Sequence, residues 1–154
     1  MLGVIEAFGG YPGLGGYYLW DEPSLEDFSS VRRAAEIIRS HDGARLPMVG
    51  MLPSYGRYRW PREYPTFARR FMRVVDPEVV AFDFYGVRQT TPDGPPTVNP
   101  FLYRDLRLWS DLAREVDRPL WLYGSAVGWG RWPGRALPRC AFRRRRPWPM
   151  ARVV

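Results

Sequence analysis

Two carboxylates stand side by side where an apolar run stops. The stretch GGYYLWDEP, residues 15–23, sets Asp21 and Glu22 between Trp20 and Pro23. Glycoside hydrolysis needs two carboxyl groups, one as acid and one as base or nucleophile, roughly 5–5.5 Å apart for retention or about 6.5–9.5 Å for inversion. Neighbours on a strand point to opposite faces, so Asp21 and Glu22 do not form that pair. Glu22 is read as the reactive group. Asp21 is read as its support, capping the following helix or holding an arginine. Asp83, in AFDFYG, is the second catalytic candidate. Both acids also have a plain structural reading: Asp21-Glu22 as favourable charge at a helix N-terminus, and Asp83 as a buried acid that bonds loop amides.

Aromatic side chains gather at similar places. PSYGRYRW holds Tyr55, Tyr58 and Trp60, Tyr85 follows Asp83, and Tyr123 closes PLWLY. Apolar sugar faces stack on such rings, while hydroxyls bond to Asp, Glu and Arg. These residues and Asp21 are the candidate substrate contacts. His41 is the only histidine and falls at a helix end, which disfavours a His-based metal centre or a Ser-His-Asp site. Neither G-x-G-x-x-G nor a Walker A loop follows a strand. No metal and no cofactor is expected.

Four short, continuously apolar runs must position these groups: Gly16–Trp20, Leu46–Leu52, Val79–Asp83 and Pro119–Tyr123. Strands covered on both faces read this way. Amphipathic helix patterns lie between them. In the first, Ser24 and Asp27 make an S-x-x-D box, Leu25, Phe28, Val31, Ala35 and Ile38 follow at helical spacing, and Gly43 ends the pattern. The second starts near Pro65, carries Phe67, Ala68, Phe71, Met72 and Val75, and stops at Asp76-Pro77. The third opens on Asn99-Pro100 and carries Leu102, Leu106, Trp109, Leu112 and Val116. Strand and helix thus alternate with the beat of βαβ units and a parallel sheet. In such folds chemistry collects at the C-terminal ends of the strands, where every candidate above falls.

The chain has 154 residues and a formal net charge of +7. All 23 basic residues are arginine, and eight of them lie in residues 131–154, which contain no acid. Residues 1–130 hold fifteen arginines against all sixteen acids. The body is near neutral, so a nucleic-acid partner is not expected. Residues 131–154 form an Arg/Pro-rich tail without periodicity, read as a basic arm, as a disordered end, or as the product of G+C-rich DNA in a shifted frame. No apolar run approaches the roughly 18–20 residues of a membrane span, and no membrane partner is expected. MLGVIEAFGG lacks a basic n-region and a long h-region, so no signal peptide is expected. The single Cys140 excludes an internal disulfide.

GGYYLWDEPS, GMLPSYGRY, AFDFYGV and PLWLYGS, in this order, resemble clan-A-like glycoside hydrolases, in particular bacterial β-galactosidase-like TIM-barrel proteins. The likeness covers about residues 10–130. It implies a partial (β/α)8 TIM barrel of about four parallel strands with intervening helices. It also implies that Glu22 matches the acid/base after the fourth strand. Two departures stand out. The family usually has Asn where this chain has Asp21, and PLWLYGSAVGWG offers no acid for the nucleophile after the seventh strand. The catalytic pair is then unconventional, or the barrel is incomplete and inactive. Open sheet edges would make the chain prone to self-association. The expectation is a glycoside-hydrolase-like domain over 1–130 with a carbohydrate substrate. The alternative is a non-catalytic carbohydrate-binding domain using the aromatic rim.

Overall fold

A computed structural model describes residues 1–56, 58, 62–89 and 95–124. Trp60 and the tail from residue 125 onward, Arg143–Arg146 included, lie outside the described residues. The elements run α1 (Leu2–Phe8), β1 (Gly16–Asp21), α2 (Phe28–His41), β2 (Leu46–Met51) and α3 (Glu63–Val75). They continue with β3 (Val80–Phe84), β4 (Val87–Gln89), β5 (Pro96–Val98), α4 (Phe101–Glu115) and β6 (Leu120–Gly124).

The four expected strands form one sheet in the order β1-β2-β3-β6, and every pairing is parallel. Strand order follows chain order, with one long helix on each crossover. A small antiparallel ribbon, β4-β5, interrupts the path from β3 to α4.

Helices α2, α3 and α4 cover one face of the sheet. Phe28 and Val31 of α2, Phe67 and Phe71 of α3, and Trp109 and Leu112 of α4 join Val49, Met51, Phe82 and Phe84 in one core cluster. Alternation along β3 explains the division: Val80, Phe82 and Phe84 enter that cluster, and Ala81 and Asp83 face the other way. Register sets Trp121 beside Ala81 and Tyr123 beside Asp83 on this second face. No helix covers it among the described residues. Tyr18 is 50% exposed there and Trp121 43%.

Local signals account for the helix ends. Asp27 Oδ2 accepts from both the Ser24 amide (2.8 Å) and the Ser24 hydroxyl (2.7 Å), so the S-x-x-D box forms. It does so as a turn, and regular helix begins only at Phe28. Asp76 ends α3 in the left-handed conformation, φ 52°. Asn99 Oδ1 accepts from the Phe101 amide at 3.0 Å and starts α4. His41 Nδ1 lies 3.0 Å from the Ile37 carbonyl at the end of α2.

The buried stripe of α4 is rotated from the expected one. Asp105, Leu108, Trp109, Leu112 and Ala113 are buried, while Val116 is 45% exposed. Leu25 is likewise 43% exposed, because it lies in the turn ahead of α2.

Candidate functional site

Strand β1 delivers its acids through an irregularity. Its register with β2 shifts between Tyr18 and Trp20: Tyr18 pairs with Met48, Trp20 with Val49 and Asp21 with Gly50. In a regular strand, residues three apart point to opposite faces. The bulge adds a residue and turns Asp21 onto the face that carries Tyr18. There the Tyr18 hydroxyl donates to Asp21 Oδ1 at 2.8 Å. Gly50 makes this possible, since a Cβ at that position would collide with the Tyr18 hydroxyl. The carboxylate acceptor and partial burial push the Tyr18 phenol well above its ordinary pKa, burial being the larger cause.

Glu22 follows in a strained conformation. Its φ is 48°, which non-glycine residues rarely adopt, and Pro23 further restricts it. Its amide donates to the Gly50 carbonyl at 2.8 Å, which holds the chain in place as the strand ends. Such strain collects at functional sites.

Asp83 sits on the central strand β3 and is only 6% exposed. Its Oδ1 is buried without a hydrogen-bond partner among the described residues. Burial, and then the neighbouring Glu22 carboxylate, push its pKa up from 3.8 to about 6. Hydrogen bonds from its own backbone and from Tyr85 oppose the rise, and Asp21 adds to it. Tyr85, itself raised chiefly by burial and then by Asp83, stands at the strand end and is 41% exposed.

Across the same face, Tyr18 on one edge strand and Tyr123 on the other meet edge to face, ring centroids 6.3 Å apart. They span the two central strands, on which Gly50 and Asp83 stand. The structure therefore gathers Asp21, Glu22, Asp83, Tyr85 and Tyr123 at one strand-end rim, with Tyr18 added.

The loop after β2 is held from beneath. Asp105 Oδ2, fully buried on α4, accepts from the Ser54 amide at 2.8 Å, and Arg104 donates to the Ser54 hydroxyl. The Tyr64 hydroxyl donates to the Leu52 carbonyl at 2.6 Å and accepts from Trp109 Nε1 at 3.0 Å. So anchored, Tyr55 packs edge-on against Phe84 at 5.0 Å, and its hydroxyl accepts from the Tyr85 amide at 3.1 Å. Tyr55 thus braces the strand end that carries Asp83. Tyr58 lies elsewhere: it stacks on Phe67 of α3 at 4.2 Å, on the helix side.

Tyr18, Gly50 and Asp105 join the site from outside the residues that the sequence singles out. The only available signal was Tyr18 standing three residues before Asp21, which becomes informative only once the bulge is known. No group of three or more His, Cys, Asp or Glu suited to a metal ion occurs among the described residues. No helix of the described residues is long and apolar enough to cross a membrane. No protein-family model, curated protein or solved structure matches the chain.

Proposed function

We propose that this chain is a glycoside-hydrolase-like domain with the winding of a partial (β/α)8 barrel, acting on a carbohydrate at the rim of β1, β3 and β6. One observation carries the reading: Asp83 is almost fully buried at a central strand end with its Oδ1 unpartnered among the described residues, and burial and then the neighbouring Glu22 carboxylate push its pKa up to about 6. A carboxyl group whose surroundings favour its protonated form, next to a second carboxyl group, is what acid-assisted glycosidic cleavage requires. Asp83 donates the proton to the leaving oxygen. Glu22 acts as base or nucleophile, the reverse of the acid role that the family resemblance gives it. Asp21, braced by Tyr18, and Tyr85 bond to sugar hydroxyls, and Tyr123 offers a stacking face. Strand order that follows chain order, with α2 to α4 on one face, favours barrel winding over a doubly wound sheet, where strand order reverses.

The test is hydrolysis of a panel of aryl glycosides by the full chain, by Asp83→Asn and by Glu22→Gln. Turnover that falls at least 100-fold in both variants is expected. Equal rates in all three would remove the two acids from the chemistry.

A second reading, non-catalytic carbohydrate binding, is favoured by the exposure of Tyr18, Trp20 and Trp121. It predicts oligosaccharide binding without turnover, unchanged in Asp83→Asn and lost in Trp121→Ala. The same uncovered face and the outer edges of β1 and β6 support self-association. Sedimentation that gives a monomer at all concentrations would exclude it.

A further inference from the structure

On the other side of the molecule, an open groove of about 1160 Å³ runs along α3 and α4. We propose that it docks an acidic amphipathic helix of a partner protein. The lining has two parts. Leu25, Tyr58, Met72, Leu112 and Val116 give it an apolar floor, and Leu25 and Val116 are 43% and 45% exposed. Arg62, Arg69, Arg70 and Arg73 give it a rim, set against the two acids Glu63 and Glu115.

Charge decides the occupant. The four guanidiniums have no ion-pair partner among the described residues, while Arg32, Arg39, Arg104, Arg107 and Arg114 elsewhere do. A helix with a leucine stripe and flanking carboxylates would fill the floor and pair the rim together. Arg62 and Arg73 are eleven residues apart along α3, a length of about 16 Å or three helical turns. The groove is open and larger than the roughly 300–1,000 Å³ of an enclosing small-molecule site. Its helical walls offer no free backbone edge for an added strand. Residues 131–154 of the chain hold eight arginines and no acid, so their charge does not complement such a rim. Asp83 faces away on the opposite side of the sheet, so the groove is independent of the carbohydrate reading.

The experiment is fluorescence anisotropy of the full chain with a labelled 14-residue peptide, Leu at positions 1, 4, 8 and 11 and Glu beside them. Saturable binding is expected, weakened at least tenfold in Arg69→Glu/Arg73→Glu and in the exposed-site variant Val116→Asp. A tail variant with Arg143, Arg144, Arg145 and Arg146 changed to Gln should bind within twofold of the parent. Circular dichroism confirms that each variant is folded, and Val116→Asp carries the test if the double variant is not. The proposal is overturned by absence of saturable binding. It is equally overturned if a Lys-for-Glu or Ser-for-Leu peptide binds as tightly, or if only the tail variant loses affinity.

Discussion

The Tyr18 hydroxyl and Asp21 Oδ1 are joined at 2.8 Å across the flat side of Gly50, three residues apart on a strand that should have sent them to opposite faces. Gly50→Ala should push the phenol aside and break that bond. The expected loss of stability is about 1 kcal/mol, the net worth of one hydrogen bond. The better readout is spectroscopic: the Tyr18 phenol should titrate at lower pH in the variant. An unchanged phenol titration would show that the Gly50 surface does not govern Tyr18.

Asp83 gives a pH dependence with a definite sign. Its pKa is raised on folding, from 3.8 to about 6, so the folded state holds the proton longer than the unfolded chain. Stability should therefore fall as pH rises from about 4 to about 6, and level off above that. The two-unit difference corresponds to about 3 kcal/mol at most. Asp83→Asn should abolish this slope and be more stable than the parent at pH 8, while losing any hydrolytic activity. Urea titrations at pH 4, 6 and 8 measure it. Parallel curves for parent and variant would refute the assignment.

Glu22 couples to both the strain and the acid. Glu22→Gln should lower the pKa of Asp83, since the Glu22 charge is the second cause of its rise. Carboxyl-carbon NMR titration of Asp83 checks the direction. Glu22→Gly should instead relieve the φ of 48° and leave stability equal or up to about 1 kcal/mol higher. A large loss of stability in that variant would mean that Glu22 holds the fold rather than a site.

Beneath the β2 loop, Asp105→Ala should destabilise the chain by about 3 kcal/mol. It leaves the buried Ser54 amide without its acceptor and Arg104 without its neighbouring charge. Tyr64→Phe should lose about 2 kcal/mol, because it strands the Leu52 carbonyl and the Trp109 indole N–H. Denaturation midpoints measure both. A shift in either below about 0.5 kcal/mol would mean that the loop is held by packing alone.

Much of this architecture was legible in the chain itself. Leu46–Leu52 and Val79–Asp83 read as strands because parallel strands are apolar without alternation, and each matched within one residue. The α3 stripe, Phe67 to Val75, was legible because its spacing and Asp76-Pro77 agreed with each other. What stayed hidden depends on partners distant in sequence. Asp105 reads as a solvent-facing acid until the Ser54 amide, 51 residues earlier, is known to meet it. The bulge in β1 is a property of its pairing with β2, not of GYYLWD. α1 buries no residue, and its seven-residue run LGVIEAF is apolar nearly throughout, so no helical period marks it in the sequence. The β4-β5 ribbon is three residues on each side, too short for a period to emerge. Asp21, Glu22 and Asp83 all stand at C-terminal strand ends, and the burial that sets Asp83 apart from the other two is something composition does not encode.

Each strand of the sheet lies against the one laid down just before it, Gly16 beside Leu46 and Val80 beside Leu120. A chain emerging from the ribosome can therefore add one strand and one helix at a time to a growing edge, with no strand waiting for a distant mate. Arrest peptides fused after residues 76, 99 and 124 would report whether docking force rises stepwise as each unit clears the exit tunnel.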